Sequence, residues 1–315
     1  MKVRYSFSSR KTKRATKSPK MRKQKEKYPE IIKRIILESD IILEILDARF
    51  IEKTRNKEIE KKIKGLNKKI IYVLNKSDLI RRIDKKELSK VKPNLTISCK
   101  TRKNIRKVRD LIKREVKKIK KVDKRKPSIN ELMETPRAIR VGRAKRGLGG
   151  QKIARKILRS APVIVGIIGY PNTGKSSLIN LLIGKSKAGT GADAGFTKGV
   201  QKLKLEQDII LLDTPGVIPK EEYSNVKSKK IAQHTIVGSR SYSQVKDPEM
   251  VISRLVKEYP KVLENHYKTR LKPDAEKILG ELGKRWNYLE QGGKVNFDKT
   301  ARKILKDWQT GVIKI

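Results

Sequence analysis

The segment VIVGIIGYPNTGKSSLINLLIG constrains this chain more than any other: an apolar β-branched run, a glycine-bounded turn and a helix-forming run follow one another without a break. Gly169-Tyr170-Pro171-Asn172-Thr173-Gly174-Lys175-Ser176 fits G-x-x-x-x-G-K-[ST], and strand before and helix after is the context that spacing requires. The glycines let backbone N–H groups from Asn172, Thr173, Gly174, Lys175, Ser176 and Ser177 turn inward around phosphate, and the helix N-terminus adds positive potential. Lys175 then reaches the β and γ phosphates, and Ser176 offers its hydroxyl to magnesium. A strand feeding such a loop belongs to a buried sheet covered by helices, so the expected fold is a Rossmann-like, three-layer α/β domain.

Three further motifs lie at the polar ends of apolar runs. Asp213-Thr214-Pro215-Gly216 closes DIILLDTPG, which brings the Asp213 carboxylate to a strand end for magnesium and the Gly216 N–H towards a γ-phosphate. Gly195-Phe196-Thr197-Lys198-Gly199 lies between the two, with Thr197 spaced to close over magnesium. Lys175, Thr197 and Gly216 are the expected catalytic groups. The third motif, Asn75-Lys76-Ser77-Asp78, ends IIYVLNKSD and comes earlier in the chain than the phosphate loop. Asp78 is acceptor-only and can take both the ring N–H and the exocyclic amine of guanine, which adenine does not offer in that arrangement. Asn75 braces the loop, the Lys76 stem covers the base, and Ser98-Cys99-Lys100 at the end of NLTISCK supplies a backbone N–H for the guanine O6. Sequence order is no obstacle, because strand ends form one ring of loops whichever strand comes first, provided a connection joins the old termini.

That connection is strongly basic. Thr101 to Ser160 begins with a helix whose Ile105, Val108, Ile112, Val116 and Ile119 share one face, and residues 137–160 hold nine Lys or Arg and no acid. Residues 1–27 read as a disordered cationic arm with 12 Lys or Arg against one acid. Residues 28–220 then form the nucleotide-binding domain around the insertion at about 101–160, and 221–315 form a small all-helical domain. Within the latter, Asp247 and Pro248 open one helix, and Ala301, Ile304, Leu305 and Trp308 form a stripe closed by Gly311.

Lys and Arg number 81 against 33 acids, a net charge of +48, which points to a polyanionic partner and above all to nucleic acid. The lone Cys99 excludes an internal disulfide and fits a reducing cytoplasm. The most apolar stretch, IIKRIILESDIILEIL, is broken by charges, so no membrane partner is expected. A monomer is the expected state.

Asp47-Ala48-Arg49, Arg55-Asn56, the permuted motif order and the C-terminal LEQGGKVNFDKTARKILKDWQTG together resemble the circularly permuted GTPases of the YlqF (RbgA-like) type. Two positions depart from the pattern, Ile51 and Ala194 standing where the family usually has proline. The resemblance implies GTP hydrolysis to GDP, magnesium as cofactor, and a role in assembly of the large ribosomal subunit with ribosomal RNA as partner. It also implies a potassium ion held partly by Asn172. Val217 stands where many GTPases carry a water-orienting Gln, so slow intrinsic turnover is expected. Two alternatives stay open at this point: an RNA-binding chaperone whose pocket does not hydrolyse nucleotide, and a GTPase of tRNA modification.

Overall fold

The computed structural model describes residues 30–124, 161–184, 201–214, 228–269 and 274–315. The expected arm at 1–27, most of the bridge, the loop carrying Thr197 and the segment carrying Gly216 and Val217 lie outside those residues.

The strands are β1 (Ile41–Asp47), β2 (Lys69–Asn75), β3 (Asn94–Thr96), β4 (Val163–Gly169), β5 (Gln201–Glu206) and β6 (Ile209–Asp213), in the spatial order β3-β2-β1-β4-β6-β5. All pairings are parallel except β5 with β6. The chain thus runs outward from β1 to one edge, then restarts at β4 beside β1 and runs to the other. This permuted connectivity makes the seam between β1 and β4 the topological switch point, where an open α/β sheet binds its ligand.

Alternation along β1 explains the three layers. Ile41, Leu43 and Ile45 face a cluster completed by α5 (Ile105–Lys124) and α6 (Lys175–Ile183). Ile42 and Leu46 face the other side, against α1 (30–38) and α3 (Lys57–Gly65). In α5, Val108, Ile112 and Val116 are buried and Ile105 and Ile119 flank them, so the helical spacing in the sequence marks the packed face.

The two edge strands differ from the central ones. The run NLTISCK yields only a three-residue, half-buried strand, because β3 is an edge and packs less than the centre. VQKLKLEQ is the other edge and turns straight back into β6 as a hairpin, so it runs antiparallel with a register irregularity at Lys204/Glu206.

The helices towards the C-terminus are α7 (Ser228–Ile236), α8 (Pro248–Glu258), α9 (Pro260–Tyr267), α10 (Ala275–Arg285) and α11 (Phe297–Thr310). Asp247 caps α8 by accepting from Met250 N, with Pro248 at the first helical position, and Asn296 caps α11 by accepting from Lys299 N. Ala301, Ile304, Leu305 and Trp308 all point into a core shared with Val251, Leu255 and Leu282. Phe50, from the turn after β1, enters the same core 6.1 Å from Trp308, which lies 4.9 Å from Tyr259. The Trp308 indole N–H donates to Ile236 O at 2.8 Å, which satisfies its polar edge. Trp308→Ala should therefore cost about 3–5 kcal/mol in a urea titration, while Val312→Ala, at an exposed position, should stay within about 0.5 kcal/mol.

Candidate functional site

At the carboxyl edge of the sheet, β3 leads to Ser98, β2 ends at Asn75, β1 at Asp47, β4 at Gly169 and β6 at Asp213. Register puts Asp47 opposite Asn75 and Ile45 opposite Gly169, so the early and late motifs face one crevice.

Asn75 joins them. Its Nδ2 donates to Thr173 O at 2.8 Å and its Oδ1 accepts from Cys99 N at 3.0 Å. One buried amide therefore links the loop after β2, the loop after β3 and the phosphate loop. Gly174, in the left-handed region at φ 97°, lies against that amide, and a Cβ there would come within 2.2 Å of Asn75 Nδ2. The glycine is needed both for its φ and for this close approach.

The remaining base-side residues are arranged around Asp78. Ser98 Oγ donates to Asp78 Oδ1 at 2.6 Å and itself accepts from Thr101 N at 3.1 Å. Lys76 is left-handed at φ 66°, and its ammonium lies 2.9 Å from Asp47 Oδ2. Burial lowers the Lys76 pKa, and Asp47 opposes the shift. Lys100 is exposed. The Cys99 thiol is pushed up to about 12 by burial, so it is protonated and not a nucleophile.

On the phosphate side, the Lys175 ammonium donates to Gly169 O at 3.1 Å and Tyr170 O at 2.7 Å. Burial pushes its pKa down to about 8, with Asp213 opposing. Thr173 Oγ1 donates to Tyr170 O at 2.9 Å, and Ser177 follows in the first turn of α6. Asn172, at φ 58°, donates to Gly238 O at 2.8 Å and so touches the turn after α7. Ser176 Oγ donates to Asp213 Oδ2 at 3.2 Å, while Asp213 Oδ1 is buried with no partner among the described residues. Burial raises the Asp213 pKa, against the pull of Lys175 and Ser176. A hydroxyl and an under-satisfied buried carboxylate side by side are a donor set for a hard divalent cation, so the residues present fit magnesium. The described residues hold no group of three or more His, Cys, Asp or Glu that could bind a metal unaided.

Sequence reasoning left Asp47 and Arg49 without a role at the site. Arg49 Nε and Nη2 donate to Asp47 at 3.0 and 2.8 Å, and its Nη1 donates to Trp308 O at 3.0 Å. The D-A-R triplet was visible, but its partners, Lys76 and Trp308, are set by tertiary packing.

Residues 164–273 match the model of the 50S ribosome-binding GTPase family. An uncharacterized GTP-binding protein of Methanocaldococcus jannaschii is 33% identical over 92% of this chain and 67% of its own length. Ribosome biogenesis GTPase A of Bacillus licheniformis is 32% identical over 86% of this chain and 87% of its own. The chain spans about half the length of plant and animal relatives that it also matches. The GDP-bound structure of YlqF superposes with a TM-score of 0.53 at 18% identity, covering 90% of this chain and 95% of that one, which shows a common fold.

Because the Lys175 pKa of about 8 lies below its ordinary 10.5, the free protein should gain stability as pH rises between those values, where the unfolded chain binds the extra proton. On the sequence expectation that Lys175 meets phosphate, which favours the ammonium, nucleotide binding above pH 8 should take up a proton. GDP affinity should be about tenfold weaker at pH 9 than at pH 7, with close to one proton absorbed per nucleotide at pH 9. Calorimetry in buffers of differing ionisation enthalpy reads both quantities.

Proposed function

The chain belongs to the circularly permuted GTPases of the ribosome biogenesis GTPase A type, and on that premise we propose that it uses this crevice to run a GTP cycle controlling its docking on the RNA of the assembling large ribosomal subunit. The observation that carries the reading is the Asn75 amide, which ties the base-reading and phosphate-binding loops into one site. Asp78, held by Ser98, accepts from guanine, and the Lys100 backbone N–H serves the guanine O6, the Cys99 N–H being committed to Asn75. Lys175 exchanges its two carbonyl partners for phosphate oxygens when nucleotide enters. Ser176 and Asp213 hold magnesium, whose charge offsets that of the β and γ phosphates. Thr197 and Gly216 complete the phosphate side in this proposal.

Val217, with no polar group to orient water, leaves intrinsic hydrolysis slow, and a potassium ion near Asn172 supplies fixed positive charge beside the transferring phosphoryl group. GTPase rates several-fold higher in potassium than in sodium are the expected result. Equal rates in the two salts, with and without ribosomal subunits, would remove the ion from the proposal.

The net charge of +48 supports an RNA partner, and α5 presents part of it. Among the described residues, Lys113, Arg114, Lys117, Lys118 and Lys121 line a groove of about 470 Å³ together with Asp110, and Lys113 and Lys118 are paired with Glu206 and Glu115. Contacts of this kind are made chiefly to phosphates and to the shape of the RNA. Sedimentation with purified large subunits should show tighter binding with a non-hydrolysable GTP analogue than with GDP, and log K falling linearly with log salt. Binding that ignores the nucleotide would sink the switch.

A further inference from the structure

The turn that carries Asp78 is built on contacts from the far end of the chain. Ser77–Leu79 is a single 3-10 turn, too short to fix its own orientation through a hydrogen-bond ladder. Ser98 holds it on one side through Asp78 Oδ1. On a second side Lys76 is anchored to Asp47, whose carboxylate is fully buried and also takes two bonds from the Arg49 guanidinium. On the third side stands the segment Gly311–Ile315. Ile315 N donates to Leu79 O at 3.1 Å and Arg81 N donates to Ile315 O at 3.1 Å, so the C-terminal residue pairs with the backbone leaving the turn. The Leu79 side chain fills the space above Gly311, where an added Cβ would come within 2.3 Å of Leu79 Cδ2. Arg49 joins the second side to the third, because its Nη1 donates to Trp308 O in the last turn of α11.

We infer that Arg49 and the C-terminal residues Gly311–Ile315 are positioning residues for guanine recognition, holding the turn so that the Asp78 carboxylate meets both the ring N–H and the 2-amine of the base. The inference rests on the reading that Asp78 recognises guanine, and it adds that the discrimination is set partly from outside the nucleotide-binding sheet. A two-point acceptor discriminates only when both bonds form together, and a displacement of about 1 Å is enough to lose one of them. Ser98 constrains one carboxylate oxygen and leaves the turn free to tilt about it. Leu79 under Gly311 and the Ile315 pairing remove that tilt. Lys76 alone would not, since its ammonium reaches Asp47 through a flexible stem, and it is the Arg49 fork that fixes Asp47 itself.

The test uses the full chain, a variant lacking only Ile315, Gly311→Ala, Arg49→Gln and Arg49→Lys. Affinities for GDP, ADP, IDP, which lacks the 2-amine, and tripolyphosphate, which reports the phosphate loop alone, come from competition against a fluorescent guanine nucleotide. Thermal melting establishes that each variant is folded. Removing Ile315 deletes two hydrogen bonds and leaves the buried Ile313 in place, so this variant stays informative if Gly311→Ala does not fold. The expected result is a loss of about tenfold in GDP affinity and a reduced preference for GDP over IDP, with tripolyphosphate binding unchanged. Arg49→Lys, which keeps a charge beside Asp47, should retain more of that preference than Arg49→Gln. Folded variants that keep the GDP-over-IDP preference of the parent, or that lose GDP and tripolyphosphate binding in parallel, would overturn the inference while leaving the guanine reading intact. A parent protein that does not prefer GDP to ADP would overturn both.

Discussion

The geometry of the site depends on one buried side-chain amide. Asn75 can donate and accept at once, and it spends those two capacities on Thr173 O and Cys99 N, groups that belong to loops nearly a hundred and about two dozen residues away. Neither partner is a side chain, so the bond pattern fixes backbone paths and not merely rotamers. Aspartate could accept from Cys99 but could not donate to Thr173, and a longer amide would collide with Gly174, already in contact. The permuted chain has no covalent route from the loop after β2 to the loop after β4 except through a basic connection of some sixty residues. The Asn75 amide makes the connection in space.

Two acids on β1 show how the surroundings decide charge in so basic a molecule. Asp47 is fully buried, which opposes ionisation, yet Lys76 and Arg49 hold its carboxyl well below the usual carboxylate range. Glu44, three residues earlier on the same strand, faces the α3 side. There burial pushes its pKa up to about 8, and Glu60 adds to the shift. Glu60 is itself claimed by Arg55 and by the Tyr72 hydroxyl, while among the described residues Glu44 receives only the Asn56 N–H. The Arg55 guanidinium is bound to Glu60 and Glu52, and its pull on Glu44 and that of Lys64 only partly offset the effect of burial. The Arg49–Asp47 and Arg55–Glu60 ion pairs flank the turn from which Phe50 enters the helical core.

Much of this was legible in the sequence because it is local. Apolar β-branched runs marked β1, β2, β4 and β6, helical spacing marked the buried faces of α5 and α11, and Asp247 with Pro248 marked the start of α8. The strand–turn–helix around Lys175 and the early Asn75-Lys76-Ser77-Asp78 together foretold a permuted α/β fold, which the strand order and the family relatives bear out. What could not be read was whatever depends on distant partners. The Arg49 bond to Trp308 spans 259 positions, and Gly311 looked like an ordinary helix terminator until Leu79 was found against it. The direction of β5 is not written in its sequence, since a strand pattern does not say which way the strand runs.

The two ends of the sheet carry a further consequence. An edge strand offers unpaired backbone groups to any other chain, and a protein this positive is normally kept apart from its copies by repulsion. A polyanion that neutralised that charge would remove the repulsion. Here one edge is the three-residue β3, too short to template a partner, and the other is the exposed, irregular β5 with Lys202 and Lys204 on it. Short length on one side, and lysines with a break in register on the other, protect against edge-to-edge aggregation under the conditions in which net charge no longer does.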